Sequence, residues 1–467
     1  SNRVKGIGYR YYAYLIVIFA AVIRFISLTD KYFWCDEASS VLTSRYDVAA
    51  LLYHASFAVH PPLYYLLLHA WMALFGDSIL AVRSLSLVFG VITVALTIKL
   101  TRWVAGKRAA LLAGWLVAIM PMAVRYSQEV RMYSLLGVWL LGATLALVYW
   151  VRQPERTRYL AAYVVLMTAG FYTHYFTALC VLVHWAYLGV LAGTMPRDQR
   201  LITRPAWWVA NAAIVLLYLP WLPNLLDLVQ HVEQLKVGGD IGWEEPVSLF
   251  SLPSMMWQFV LQDEGVGFWS PLFWLFPLLL VAVVFATAWR DRERYRPASL
   301  LALFFLLPLL LVYGVSFISP VFIERYLTVY ALGLPILLAI AIDRLPSRFS
   351  LLGAALFVLF VGVELVGLKN NFTVDEHDQF NVPVEFVNRN YQEDDRIVLS
   401  DMMRYTTNVY YDQTDTQLQL YTPPHPAGAT PRPNPFGLRP VDDPCGGPHH
   451  LYPLDAPAPP RRRRGSH

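Results

Sequence analysis

Hydrophobic residues fall in long unbroken runs along this chain, and polar residues gather in the short stretches between them. Eleven runs are long and apolar enough for a helix to cross a bilayer, which takes about 20 residues. They are 11–28, 84–102, 109–125, 132–151, 159–176, 178–194, 206–225, 268–289, 298–318, 323–342 and 349–368. A twelfth run, His60 to Phe75, has 16 residues. As a helix it would reach about 24 Å, short of the roughly 30 Å hydrocarbon core.

The basic residues decide how the twelfth run is placed. If it does not cross, alternate connections carry 19 Lys and Arg, from Arg3 and Lys99 through Arg290–Arg296 to Arg348. The opposite connections, the C-terminal segment aside, carry seven: Lys31, Arg45, Arg83, Arg125, Arg131, Lys236 and Arg325. Cytoplasmic loops hold the excess of positive charge. The run from His60 is therefore expected to lie along the outer face, with the N-terminus cytoplasmic and the C-terminus outside. Residues 1–369 then form a transmembrane domain with two large outer loops, 29–83 and 226–267. Residues 370–467 form an extracytoplasmic appendage. Its first half holds two strand-like runs, 396–400 and 418–421, as in a small α/β unit. Thirteen prolines between Pro423 and Pro460 predict an extended, loosely ordered continuation. Neither a cleavable leader nor an internal repeat is apparent.

Composition agrees. The chain is 57% hydrophobic and 15% charged, against roughly 25% charged in a soluble domain. That excludes a soluble enzyme and a disordered chain, and leaves a multi-pass membrane protein. A net charge of +4 is too small to imply nucleic acid. Three cysteines rule out a disulfide scaffold or a cysteine metal cluster, although Cys35 and Cys445 both fall outside and are a candidate pair.

Polar side chains are costly near a membrane, so their placement is informative. They gather on the outer side. Asp36 and Glu37 follow Phe33-Trp34-Cys35 just beyond the first span; a carboxylate partly withdrawn from water is a better general base. His60 precedes Pro61-Pro62, a helix-start signal, and would cap that helix, touch a phosphate or move a proton. Arg83 closes the loop and is a further candidate for contact with a substrate phosphate. Between spans three and four, Arg125 to Tyr133 packs Tyr126, Gln128, Glu129 and Arg131 into a short turn. Arginine suits phosphate because its planar fork donates paired hydrogen bonds; an Arg–Glu pair bracing the turn is the plainer alternative. Tyr172 and His174 follow span five, and Arg325 and Tyr326 open span ten. His184 reads as a satisfied core residue, Arg24 as internally paired, and Glu364 as snorkelling toward the interface.

No phosphate-binding glycine loop, Ser-His-Asp set, zinc signature or Asp-x-Asp pair accompanies these clusters. A nucleotide-bound donor is thus unsupported, and the carboxylate, arginine, histidine and tyrosine set suits a lipid-phosphate substrate.

Four motifs in this order, 34–39 (WCDEAS), 60–65 (HPPLYY), 126–133 (YSQEVRMY) and 172–175 (YTHY), resemble those of glycosyltransferase family 39, the protein mannosyltransferase-like membrane enzymes. Their relatives include the lipid A aminoarabinose transferases. The similarity runs over about residues 10–345. It implies an all-α GT-C fold with about eleven spans, interfacial helices in the first outer loop, and a polyprenyl-phosphate-linked sugar as donor. It further implies inverting transfer on the outer face to a glycan, lipid or protein acceptor, with Asp36 as general base beside Glu37. Arg131 and Arg325 match donor-phosphate roles. The Trp-Trp-Asp-Tyr-Gly signature of oligosaccharyltransferases is absent, which weighs against peptide-asparagine acceptors and an obligatory divalent metal; no other cofactor is implied. Two rival activities are a polysaccharide ligase or polymerase using pyrophosphate-linked glycans, and a lipid-linked-sugar transporter or flippase. The second is disfavoured by spans that carry little charge away from their outer ends.

Overall fold

The computed structural model describes residues 2–237, 246–263, 267–374, 379–399, 402–414, 416, 418–422 and 450–452. Among these, nine helices are long and apolar enough to cross a membrane. The expected span at 109–125 is a bent pair, Lys107–Ile119 and Pro121–Ser127, turned by 59°. The expected span at 159–176 is the 14-residue helix Arg158–Phe171, shorter than the bilayer requires. The protein is a multi-pass membrane protein, mostly helical, and its long apolar elements are all α-helices. The run from His60 forms the 13-residue helix Leu63–Phe75. At about 20 Å it is too short to cross.

The chain folds as two compact units. The first comprises Ser1–Ile26, Ser86–Pro220 and Ile241–Thr373, and holds most of the long apolar helices. Its bend has an identifiable cause. Pro121 has no N–H to return to the carbonyl of Val117, so the helix breaks there. Arg24, buried in the first span, donates to the freed carbonyls of Val117 (3.3 Å) and Ala118 (2.9 Å), to Ala20 O and to Ser127 Oγ. A guanidinium that would otherwise be costly in the membrane thereby fixes the bend. Gly90 makes room for it. A Cβ at that position would collide with Ser127 Oγ. His184 is buried between Tyr163 (3.0 Å) and Thr144 (3.0 Å), the satisfied core residue expected. Glu364 does not snorkel. It is fully buried on the face of Ser350–Phe372 that also carries buried Phe360 and Leu368.

The second unit comprises Ser27–Leu85, Trp221–Asp240 and Val374–His467. Short helices Cys35–Ser44, Val48–Phe57 and Leu63–Phe75 follow one another. Asp47 caps the second by accepting from Ala50 N (3.0 Å). Contacts of Arg45 with Asp77 (2.8 Å) and of His69 Nδ1 with Ser44 O (2.9 Å) close the group. The appendage carries helices Val382–Asn390 and Met402–Tyr411. Its strands Val398–Leu399 and Gln419–Thr422 pair in parallel. A third strand, His450–Tyr452, pairs antiparallel with Gln419–Thr422. That strand lies inside the proline-rich stretch expected to be only extended. It sits between Pro448 and Pro453, on two residues, His450 and Leu451, and a tyrosine that retain their N–H groups.

Candidate active site

In the second unit the acidic pair begins the helix Cys35–Ser44, where the N-terminal end of the helix dipole favours negative charge. The two carboxylates have different surroundings. Glu37 is buried, and Arg83 grips both of its oxygens, Nε to Oε1 at 2.9 Å and Nη2 to Oε2 at 2.8 Å. Arg83 also donates to the carbonyls of Leu28 (2.8 Å), Lys31 (2.8 Å) and Tyr32 (3.5 Å). A guanidinium has five N–H donors, and all five are directed at protein oxygens. The phosphate contact expected of Arg83 is therefore not what its geometry serves; it anchors the 28–32 segment and Glu37. The ring of Phe33 lies beneath it, 5.1 Å from the guanidinium carbon. Asp36, one residue earlier, is only partly buried, and the Cys35 thiol lies 3.7 Å from its Oδ1. The other candidate partner of that thiol, Cys445, lies outside the described residues.

The appendage braces this segment, which sequence reasoning missed. Tyr411 Oη accepts from Phe33 N (2.9 Å), and Thr406 Oγ1 donates to Cys35 O (2.8 Å). Tyr410 packs its edge on Phe33, ring centres 5.0 Å apart. The only available signal was a run of tyrosine and threonine, 405–411, with helical spacing. His60 is buried just ahead of Leu63–Phe75.

In the first unit, three turns converge on one aromatic and basic cluster. Helix Pro121–Ser127 delivers Tyr126, and the next helix begins at Tyr133. Their rings lie 5.1 Å apart. The turn after Arg158–Phe171 delivers His174, whose ring is 6.1 Å from Tyr133 and 5.0 Å from Tyr326. Tyr126 Oη donates to Glu324 (2.9 Å), linking the first turn to the third. Arg131 lies over Tyr133 (5.8 Å) and Arg325 over Tyr326 (5.6 Å). Of the predicted residues in this unit, Tyr126, Arg131, His174, Arg325 and Tyr326 are thus brought together. Tyr133, the last residue of the YSQEVRMY motif, and Phe176, one residue beyond the YTHY motif, join them.

His174 is held neutral. Burial first, then the charges of Arg131 and Arg325, lower its pKa to about 3. Its Nδ1 accepts from Phe176 N (3.1 Å), so the proton of the neutral ring sits on Nε2. The group is a neutral N–H donor flanked by two guanidinium ions. Such a set can neutralise and orient a phosphate.

Two expected site residues serve elsewhere. Gln128 Nε2 donates to Arg24 O (3.0 Å) and Ile26 O (2.6 Å), capping the otherwise unpaired carbonyls at the end of the first span. Tyr172 Oη donates to Leu217 O (2.9 Å), and its ring stacks edge-on against Tyr218. The Arg–Glu alternative for the turn is also realised, by Arg125 and Glu129 at 3.1 Å. It leaves Arg131 over Tyr133.

Comparison with known proteins places this arrangement in a fold. Residues 59–223 match the family model described as dolichyl-phosphate-mannose-protein mannosyltransferase. No curated protein sequence matches. Among solved structures, ArnT from Cupriavidus metallidurans in the apo state is similar with a TM-score of 0.59 at 17% identity, covering 86% of this chain and 84% of that one. The same protein bound to undecaprenyl phosphate gives 0.57 at 16%, covering 86% and 85%. An oligosaccharyltransferase of Archaeoglobus fulgidus gives 0.56 at 14%, covering 85% of this chain and 61% of that chain. The chain has the GT-C fold of these membrane glycosyltransferases.

Proposed function

We propose that the protein transfers a sugar from a polyprenyl-phosphate-linked donor to an acceptor on the extracytoplasmic face, with inversion at the anomeric carbon. The observation that carries this reading is the cluster of Arg131, His174 and Arg325 with three tyrosines, a basic set whose histidine is kept neutral in a multi-pass membrane fold. The fold-level analogy with ArnT, one structure of which holds undecaprenyl phosphate, supports the donor class.

In this mechanism the acceptor hydroxyl or amine gives its proton to the Asp36 carboxylate. Its freed electron pair forms the bond to the anomeric carbon while the bond from that carbon to the phosphate oxygen breaks. Polyprenyl phosphate leaves with that electron pair, and Arg131, Arg325 and the Nε2–H of His174 stabilise the charge it gains. Tyr126 and Tyr326 line the donor. Asp36 is assigned the base because Glu37 has both oxygens committed to Arg83. Glu37 and Arg83 position it. His60 is assigned to the acceptor side, on its burial at the head of Leu63–Phe75.

The test is Asp36→Asn in proteoliposomes with a polyprenyl-monophosphate sugar. Removing a general base lowers turnover by about 10²–10⁴ while donor binding persists; full activity of that variant would remove Asp36 as base. Arg131→Ala and Arg325→Ala should each weaken donor binding by roughly tenfold or more, the loss expected of a charge-assisted hydrogen bond. Unchanged donor affinity in both rejects the phosphate clamp. Transfer only from a pyrophosphate-linked glycan would favour the ligase or polymerase.

A further inference from the structure

The first unit contains a second basic site, far from the aromatic cluster. A cavity of about 720 Å³ lies among helices Pro271–Trp289, Gly333–Asp343 and Ser350–Phe372. Its walls are apolar: Val283, Ala286, Leu359 and Val363 are typical. Leu279 and Leu359 at its edge are 59% and 65% exposed on membrane-spanning helices, so it opens sideways to the hydrocarbon. Its lining on the first helix runs from Leu272 to Arg290. That is about 27 Å at 1.5 Å per residue, longer than one leaflet of roughly 15 Å.

One end is charged. Arg290 and Arg344 line the cavity there. The connections that hold them, 290–296 and 343–348, carry six arginines against Asp291, Glu293 and Asp343. Those carboxylates are occupied. Asp291 accepts from the backbone of Ala298 (2.7 Å), Glu293 pairs with Arg344 (2.6 Å) and Asp343 with Arg108 (3.5 Å). Arg290 has no acidic partner among the described residues, and Trp289 beside it is exposed, as aromatic residues are at a membrane interface.

We propose that this cavity is a binding site for an anionic glycerophospholipid, its acyl chain along Val283 and Leu359 and its phosphate at Arg290 and Arg344. Basic pockets between transmembrane helices take anionic head groups in this way. The occupant is not the sugar donor of the proposed reaction. The 19-residue helix Pro297–Val315, about 28 Å long, separates the basic end from the segment bearing Arg325. The site would tie activity to the lipid composition of the leaflet that these arginine-rich connections face.

Native mass spectrometry of the delipidated full-length protein in dodecylmaltoside tests this, titrating phosphatidylglycerol and phosphatidylcholine of identical chains. One phosphatidylglycerol should bind in preference to phosphatidylcholine. Arg290→Gln should weaken it roughly fivefold and leave phosphatidylcholine unaffected. Ala286→Trp, which fills the cavity without changing charge, should weaken both. Equal affinity for the two lipids, unchanged phosphatidylglycerol binding in Arg290→Gln, or displacement of phosphatidylglycerol by stoichiometric undecaprenyl phosphate would each overturn the proposal. Arg290 is the chosen variant because Arg344 also ties the two connections together.

Discussion

The pairing of Glu37 with Arg83 offers the most direct test of how the second unit holds its carboxylate segment. The side chains are 1% and 4% exposed and meet through two hydrogen bonds of 2.9 and 2.8 Å. Glu37→Gln removes the charge and one acceptor, so its amide N–H group faces an arginine N–H. A buried guanidinium left uncompensated costs about 3–5 kcal/mol. Arg83→Gln should cost a similar amount, since it strands Glu37 and also releases the carbonyls of Leu28 and Lys31. In the double variant neither charge remains, and two glutamines can bond to each other. The two effects should therefore fall short of additivity by about 2–3 kcal/mol, at the upper end of measured couplings between contacting residues. Unfolding in mixed micelles, followed by tryptophan fluorescence for the four proteins, gives the coupling. Additivity within about 0.5 kcal/mol would refute the clamp. The cycle also separates roles: Asp36→Asn should lose transfer with stability intact, whereas Glu37→Gln should lose both.

Two further outcomes follow from the first unit. His174 titrates near 3 when folded and near 6.5 when unfolded. Its stabilising contribution is therefore complete above pH 6.5 and declines as pH falls toward 3, by about 2 kcal/mol at pH 5. Unfolding of wild type and His174→Asn between pH 7 and pH 5 measures this; parallel pH dependences would show that the histidine is not held neutral. Gly90→Ala should destabilise by about 1–3 kcal/mol through overpacking against Ser127. Ser127→Gly in the same chain should recover part of the loss, and a neutral Gly90→Ala would show that Ser127 and Arg24 have another arrangement.

Nine of the eleven expected spans were legible along the chain because burial in lipid selects by length and hydrophobicity, quantities that each run carries by itself; the bent pair at 107–127 and the 14-residue helix Arg158–Phe171 were not. The short helix Leu63–Phe75 was legible too, from its length and the distribution of arginines. So were the polar clusters between the apolar runs, since polar residues beside a membrane are few and conspicuous. Other features needed three dimensions. The bend at Pro121 depends on Arg24, about a hundred residues away, reaching two carbonyls. Arg83 and Arg131 look alike in sequence, yet one spends its five donors on the protein and the other lies over an aromatic ring beside His174. Gln128 and Tyr172 share motifs with site residues but bond to the ends of neighbouring helices. The brace from Thr406 and Tyr411 joins positions more than 370 residues apart. Hydropathy is a property of each residue, so the chain alone determined what enters the membrane. Hydrogen bonding is a property of pairs, so only the packed structure decided which charges hold one another and which segments they tie together.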